Sequence, residues 1–201
     1  IIDINKIFKI RSQKLKSTDV ERSNYLSSFV KDKISLESHI LLIHILSSLK
    51  EITNSNDIAF INGSLFFDKD VLFHNMSHKE VDFDQGDLKI NKSKKHDLVF
   101  GSFPFGLKPR SGSGVFTSKN KIDTSSDLII ESLDVIEDGG FGLFLTMPYP
   151  KTFLQDKLRE HLNKKDFFVN SIIGLPRDFY RPLTSIPAEA IIVSRNKSDN
   201  K

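Results

Sequence analysis

Between residues 97 and 193, short apolar runs alternate with longer segments whose apolar residues recur at helical spacing. That order restricts the fold more than any other feature of the chain. Residues 98–101 form an apolar run closed by Ser102-Phe103-Pro104-Phe105-Gly106. Residues 127–136 place Leu128, Ile129, Leu133 and Ile136 on one helix face, with Ser125 or Ser126 as the cap and Asp138-Gly139-Gly140 as the stop. Residues 141–147 read as a strand ended by Pro148 and Pro150, and residues 152–163 as an amphipathic helix through Phe153, Leu154, Leu158 and Leu162. Strands over 167–175 and 190–193 complete the series. Strand, helix, strand, helix, strand in this order builds βα units into a mostly parallel sheet with helices on both faces. The ligand crevice of such a sheet opens beyond the carboxyl ends of its strands. Ser102 to Phe105 sit at one of those ends.

Upstream the pattern is looser. Residues 1–35 are rich in Lys, Ser and Asn and are expected to be a helical or partly ordered lead-in to an α/β domain over 36–195. Residues 38–49 are apolar almost all round and read as a buried helix, capped by Ser35 or Ser38 and broken by Asn54-Ser55-Asn56. A short strand follows at 58–61. Residues 68–95 are polar and irregular and are expected to be an insertion holding a strand pair. Residues 107–121 are expected to form a mobile surface loop, and 196–201 a disordered tail.

Composition removes several kinds of chemistry. The chain has 201 residues, long enough for one domain with a core, and no cysteine, so it has no disulfide, no thiolate nucleophile and no cysteine-ligated zinc. A cytoplasmic location is expected. The net charge of +3 permits a nucleic-acid partner without diagnosing one. The longest apolar run, 40–46, is interrupted by His44 and is too short to cross a bilayer, so no membrane partner is expected. His74 and His78 lie four apart but lack a third ligand, so no metal site is expected. Gly112-Ser113-Gly114 is not followed by Lys-Ser/Thr and is no phosphate loop. The 17 phenylalanines read as core packing. The first residue is Ile1 rather than Met, and a longer parent protein is expected.

His96-Asp97-Leu98-Val99-Phe100-Gly101-Ser102-Phe103-Pro104-Phe105-Gly106 resembles the strand and turn of amino-directed DNA methylases, Asp-hydrophobic-hydrophobic followed by [Asn/Asp/Ser]-Pro-Pro-[Phe/Tyr/Trp]. The stretch from Leu133 through Gly139-Gly140 to Pro148 resembles the helix, Gly-Gly turn and fifth strand of that family. Lys157-Leu158-Arg159-Glu160-His161-Leu162 resembles the next helix. Ile172-Ile173-Gly174-Leu175-Pro176, Phe179, Thr184-Ser185-Ile186 and Ala190-Ile191-Ile192-Val193 resemble the last two strands and their connection. The resemblance spans about residues 96–195 and is nearest to the M subunits of type I restriction–modification systems. It implies a class I, Rossmann-like methyltransferase fold whose last strand runs antiparallel. It further implies S-adenosylmethionine as cofactor, DNA as partner, and association with specificity or restriction subunits.

In that family the turn solves a chemical problem. The exocyclic amine of adenine is a poor nucleophile because its lone pair is delocalised into the ring. The base is flipped out of the duplex, and a side-chain acceptor with a main-chain carbonyl localises the lone pair toward the methyl donor while an aromatic ring stacks on the base. By position, Ser102 takes the amine-contacting place, Phe103 replaces the first proline, Pro104 keeps the second, and Phe105 takes the stacking place. Ser102 departs from the adenine pattern, Ser being usual at the first place in cytosine-N4 enzymes; the wider resemblance implies adenine-N6 as target, with cytosine-N4 second. Phe103 removes the stiff Pro-Pro turn that aims the carbonyl. Without the downstream matches, the same residues read as a strand-to-loop turn with two buried rings.

The family's cofactor side is altered. Its Gly-rich turn follows the first strand, and no glycine precedes Gly63, so that turn is expected upstream of Ile1. Glu37 is a candidate for the acid that ends the second strand and holds the ribose hydroxyls. Asn62-Gly63-Ser64-Leu65 resembles the family's Gly-Asp-[Ser/Thr]-Leu, with Gly63 in place of the Asp and Asn62 one residue out of register. The expectation is S-adenosylmethionine binding no tighter than roughly 100 μM. Lys108, Arg110, Lys119 and Lys121, with no acid among them, are candidates for phosphate contact. Three readings follow: a DNA methyltransferase domain, an inactive methylase-like module that binds DNA or protein, and a methylase of RNA or protein.

Overall fold

A computed structural model describes residues 33–56, 58–62, 66–73, 76–81, 83–84, 89–92, 94–103, 124–148 and 153–195. The expected lead-in (apart from its last three residues), the 107–121 loop and the 196–201 tail lie outside these residues. Helix α1 (Leu36–Thr53) begins at Ser35, whose hydroxyl accepts the Ser38 N–H at 3.2 Å, and ends at Asn54 in the left-handed region with φ 51°. It is followed by β1 (Ile58–Asn62), the short α2 (Lys69–Leu72), β2 (His78–Glu80), β3 (Phe83–Asp84), β4 (Lys89–Ile90) and β5 (His96–Ser102). Then come α3 (Thr124–Ser132), a 3₁₀ turn (Leu133–Val135), β6 (Ile136–Thr146), α4 (Phe153–Lys164), β7 (Phe168–Gly174) and β8 (Glu189–Ser194).

Six strands make one sheet in the order β2-β1-β5-β6-β8-β7, and β3 pairs with β4 apart from it. Every neighbouring pair from β2 to β6 is parallel, while β8 runs antiparallel to both β6 and β7. The expected α/β sheet with an antiparallel last strand is the fold observed. Burial follows from that arrangement: all of β5 except Asp97 is buried, as a strand covered on both faces requires. Leu42, Leu46, Phe60, Phe100, Leu143 and Tyr180 form the core under α1. Val99, Phe103, Ile129, Phe144 and Leu162 form the core under α3 and α4.

Three local expectations change. Helix α3 starts at Thr124, so Ser125 and Ser126 are buried within it rather than capping it. Ile136 already belongs to β6, and Glu137-Asp138-Gly139 form an exposed irregularity inside that strand, with Gly139 at φ 85°. The pairing of β5 with β6 jumps there, from His96↔Ile136 to Leu98↔Phe141. The Gly-Gly pair thus bends a strand instead of stopping a helix. Finally, the segment read as an insertion supplies β2, an edge strand of the main sheet, as well as the β3–β4 pair.

Candidate functional site

The register draws one continuous row across the carboxyl edge of the sheet. Asn62 of β1 stands opposite Ser102 of β5, Ser102 opposite Leu145 of β6, Leu145 opposite Ala190 of β8, and Ala190 opposite Ile173 of β7. From β1 the chain moves outward to β2, then returns to form β5 on the other side of β1. The connections leaving β1 and β5 therefore diverge, and a switch point of this kind is where open α/β sheets hold their ligands. Ser102, the last residue of β5, is fully buried at that switch point.

Phe103 is not a turn residue left exposed by the missing proline. Its ring is fully buried and lies beside the ring of Phe144, with centroids 6.3 Å apart and planes 22° from parallel. The end of β5 is held by this packing where the resemblance supplied a stiff turn. Pro104 and Phe105 lie outside the described residues. Thr146, the last residue of β6, was not singled out from the sequence. It is fully buried, and its hydroxyl has no hydrogen-bond partner among the described residues. A buried, unpaired hydroxyl one residue beyond the Ser102 row gives the carboxyl edge a further polar group. Its only sequence signal is a polar residue closing an apolar strand ahead of Pro148.

The amino end of α1 reaches the same edge. Ser38 Oγ donates to the Phe179 carbonyl at 2.7 Å, and the Ser35 N–H donates to the Arg181 carbonyl at 3.1 Å, tying α1 to the connection between β7 and β8. His39 is fully buried. Its Nδ1 lies 2.8 Å from the Ser35 carbonyl, and its Nε2 accepts the Asp68 N–H at 2.9 Å. These two partners require a neutral ring carrying its proton on Nδ1. Burial also raises the Tyr180 pKa above the ordinary tyrosine value.

One cofactor-side expectation is corrected. Leu36 and Glu37 form the first turn of α1, not the end of a second strand. Glu37 is exposed there, at a position where the free N–H groups of a helix start favour a carboxylate. β1 lies second from the β2 edge of the sheet, beside β5, and Gly63, the first glycine of the chain, directly follows it in sequence. Strand order is non-local, so only the strand-then-glycine pairing at 58–63 could have signalled this. Gly63 itself and the candidate cations Lys108, Arg110, Lys119 and Lys121 lie outside the described residues.

The opposite edge of the sheet is paired in charge. Asp134 takes Lys165 on Oδ1 and Lys92 on Oδ2, each at 2.7 Å. Arg195 lies 3.1 Å from Asp138 and 4.7 Å above the Phe167 ring. Partial burial by itself would raise the Asp134 pKa, but the hydrogen bonds and charges of Lys165 and Lys92 outweigh it and hold the carboxyl below the usual range. His78 stacks on Phe73 at 4.3 Å, and His74 lies outside the described residues. Among the described residues no three His, Asp or Glu side chains cluster as metal ligands, and no helix is long and apolar enough to cross a membrane.

No family model and no curated protein matches the sequence. Solved structures do match the fold. One is assigned to the class I S-adenosylmethionine-dependent methyltransferases and comes from Listeria monocytogenes. It superposes with TM-score 0.58 at 14% identity over 85% of this chain and 63% of its own. Another is the methyltransferase subunit of a type I restriction–modification system from Streptococcus thermophilus, with TM-score 0.54 at 14% identity over 92% of this chain and 53% of its own. The chain spans less than two thirds of either length. At these identities the likeness is one of fold: the protein has the Rossmann-like fold of class I methyltransferases.

Proposed function

We propose that this chain is the catalytic-side part of a nucleic-acid methyltransferase, with the amine of a flipped-out base, adenine-N6 first, as acceptor. The observation that carries the reading is the switch point between β1 and β5, where Asn62 stands opposite Ser102 at the carboxyl edge of the sheet. A strand at a switch point followed at once by a glycine is where backbone approaches a bound nucleotide closely, and it supports Asn62-Gly63-Ser64 as the cofactor turn. On this reading the glycine expected upstream of Ile1 is Gly63, and Gly86-Asp87-Leu88, which lacks the Ser/Thr of the family's Gly-Asp-[Ser/Thr]-Leu, would offer Asp87 as the acid.

When bound, S-adenosylmethionine would supply an electrophilic methyl group. The chain's own task is then acceptor placement. Ser102 would accept a hydrogen bond from the base amine, the Phe103 ring would fix the end of β5, Phe105 would stack on the base, and Lys108, Arg110, Lys119 and Lys121 would contact phosphates. DNA, and association with specificity or restriction subunits, follow as partners on this reading. The test has two parts, calorimetric titration with S-adenosylmethionine and transfer of labelled methyl to unmethylated DNA. Binding tighter than roughly 100 μM with transfer abolished by Ser102→Ala supports the enzyme. Binding and transfer both absent would sink it.

A second reading, an inactive methylase-like module, is favoured by one observation. Phe103 is committed to the core, so the carbonyl that Pro-Pro would aim is positioned by side-chain packing alone. DNA binding without methyl transfer would select that reading.

A further inference from the structure

Cations lie at both ends of the strands. At the amino end, Lys92 and Lys165 share Asp134, Arg195 pairs with Asp138, and Lys94 and Lys95 are exposed with no ion pair among the described residues. At the carboxyl end, the connection between β7 and β8, residues 175–188, presents Arg177 and Arg181. Both are exposed, and neither makes an ion pair among the described residues. Asp178 between them is exposed as well and pairs with neither.

The connection is a seated structure. Phe179 and Tyr180 are buried at 1% and 0% exposure, packed edge-to-face with centroids 5.0 Å apart. Backbone bonds run from the Phe179 N–H to Pro176, from the Arg181 N–H to Asp178 and from the Leu183 N–H to Tyr180. The Arg181 and Phe179 carbonyls are held by Ser35 and Ser38 of the α1 end. Two buried rings and these anchored backbone groups fix the Cα positions from which both guanidinium groups project. Less order is then lost when they engage a partner.

Their place in the fold gives them a use. The pairing of β7 with β8 ends at Gly174↔Glu189, on the edge where β1 and β5 also end. β7 lies three strand positions from β5, about 14 Å at the usual spacing. From β7 the connection folds back to the start of α1, which packs on the core shared by β1 and β5.

We propose that Arg177 and Arg181 form a phosphate-contacting ledge that holds a DNA duplex against the carboxyl edge of the sheet. The inference rests on the nucleic-acid reading above and names described residues that hold this partner. The planar guanidinium fork matches phosphate oxygens, and contacts of this kind set orientation without reading sequence.

The test is binding of the 201-residue chain to a mixed-sequence DNA duplex by fluorescence anisotropy across a salt series. Three proteins are compared: the unaltered chain, the double variant R177A/R181A, and K94A/K95A, which removes the same charge at the amino end. The expected result for R177A/R181A is about tenfold weaker binding, with the slope of log K against log salt reduced by about 1.8. K94A/K95A is expected to change affinity less than about threefold. Equal losses in the two double variants, an unchanged slope, or no duplex binding by the unaltered chain overturns the ledge. Far-UV circular dichroism checks the fold. Should R177A/R181A unfold, the single variant Arg177→Glu, at an exposed position, gives the same reading. Methyl transfer to the same duplex separates the two ideas. Asymmetric binding without transfer keeps the ledge and fails the enzyme reading, whereas transfer without asymmetry does the reverse.

Discussion

The rings of Phe103 and Phe144 close together over Gly101, so the last turn of the candidate strand depends on a residue with no side chain. A Cβ on Gly101 would stand 2.7 Å from Phe144 Cδ1, 2.9 Å from its Cε1 and 3.1 Å from Phe103 Cζ. Both rings are fully buried and have little room to retreat. Gly101→Ala is therefore expected to destabilise the fold by about 1–3 kcal/mol, read as a lower urea midpoint. An unchanged midpoint would show that the rings can shift freely, and the packing account of the turn would fail.

The same geometry decides what a restored proline would do. The family resemblance suggests Ser102→Asn with Phe103→Pro as a repair of the turn. Proline at 103 would empty the space of a fully buried ring, and truncating such a ring to Ala costs about 3–5 kcal/mol. The double variant is expected to be destabilised by a comparable amount and to gain no methyl transfer. Phe103→Leu, which keeps more apolar volume, should lose clearly less than Phe103→Ala. Thermal melts of the three variants beside a labelled-methyl assay check this, and a double variant both stable and newly active would reverse the conclusion.

These two residues mark where the sequence was legible. The helices α1 and α4 and the strands from β5 to β8 announced themselves because helical or short apolar runs were bounded by Asn, Gly or Pro, and such patterns are local. Strand order is not local. That Ile58–Asn62 pairs directly beside β5, and that His78-Lys79-Glu80 is an edge strand of the main sheet, depends on pairings set by the whole chain. Gly139-Gly140 carried a turn signal that a helix stop and a strand irregularity share, and only the β5–β6 register separates them. At Phe103 the pattern showed that a proline was replaced. It could not show that the ring had become part of the core.

His39 links the start of α1 to the segment after β1, and both of its ring nitrogens are used. His39→Leu would keep volume but leave the Asp68 N–H without its partner, at about 1–3 kcal/mol for a buried group left unpaired, while the Ser35 carbonyl keeps the His39 backbone N–H at 3.2 Å. The expected loss is about 1–3 kcal/mol, with faster amide hydrogen exchange concentrated at 66–68. A stability change below about 0.5 kcal/mol would mean that water takes over from the ring and that His39 does not clamp the two segments.

Asp134 gives a pH signature at the amino edge. Its folded pKa lies below the ordinary value of about 3.9, because Lys165 and Lys92 outweigh the effect of partial burial. A carboxyl depressed in the folded state stabilises the fold above the unfolded pKa and loses that contribution as pH falls through the folded one. The side chain keeps 39% exposure, so solvent screening holds the contribution to about 0.5–1 kcal/mol. Asp134→Asn should thus lower stability by that amount at neutral pH. The gap to the unaltered protein should stay level well above the unfolded pKa and close as pH falls through the lower folded one. Added salt at neutral pH should narrow the gap. Urea midpoints across the pH series decide the matter: a gap that widens on acidification would show that Asp134 is not held ionised by its two lysines.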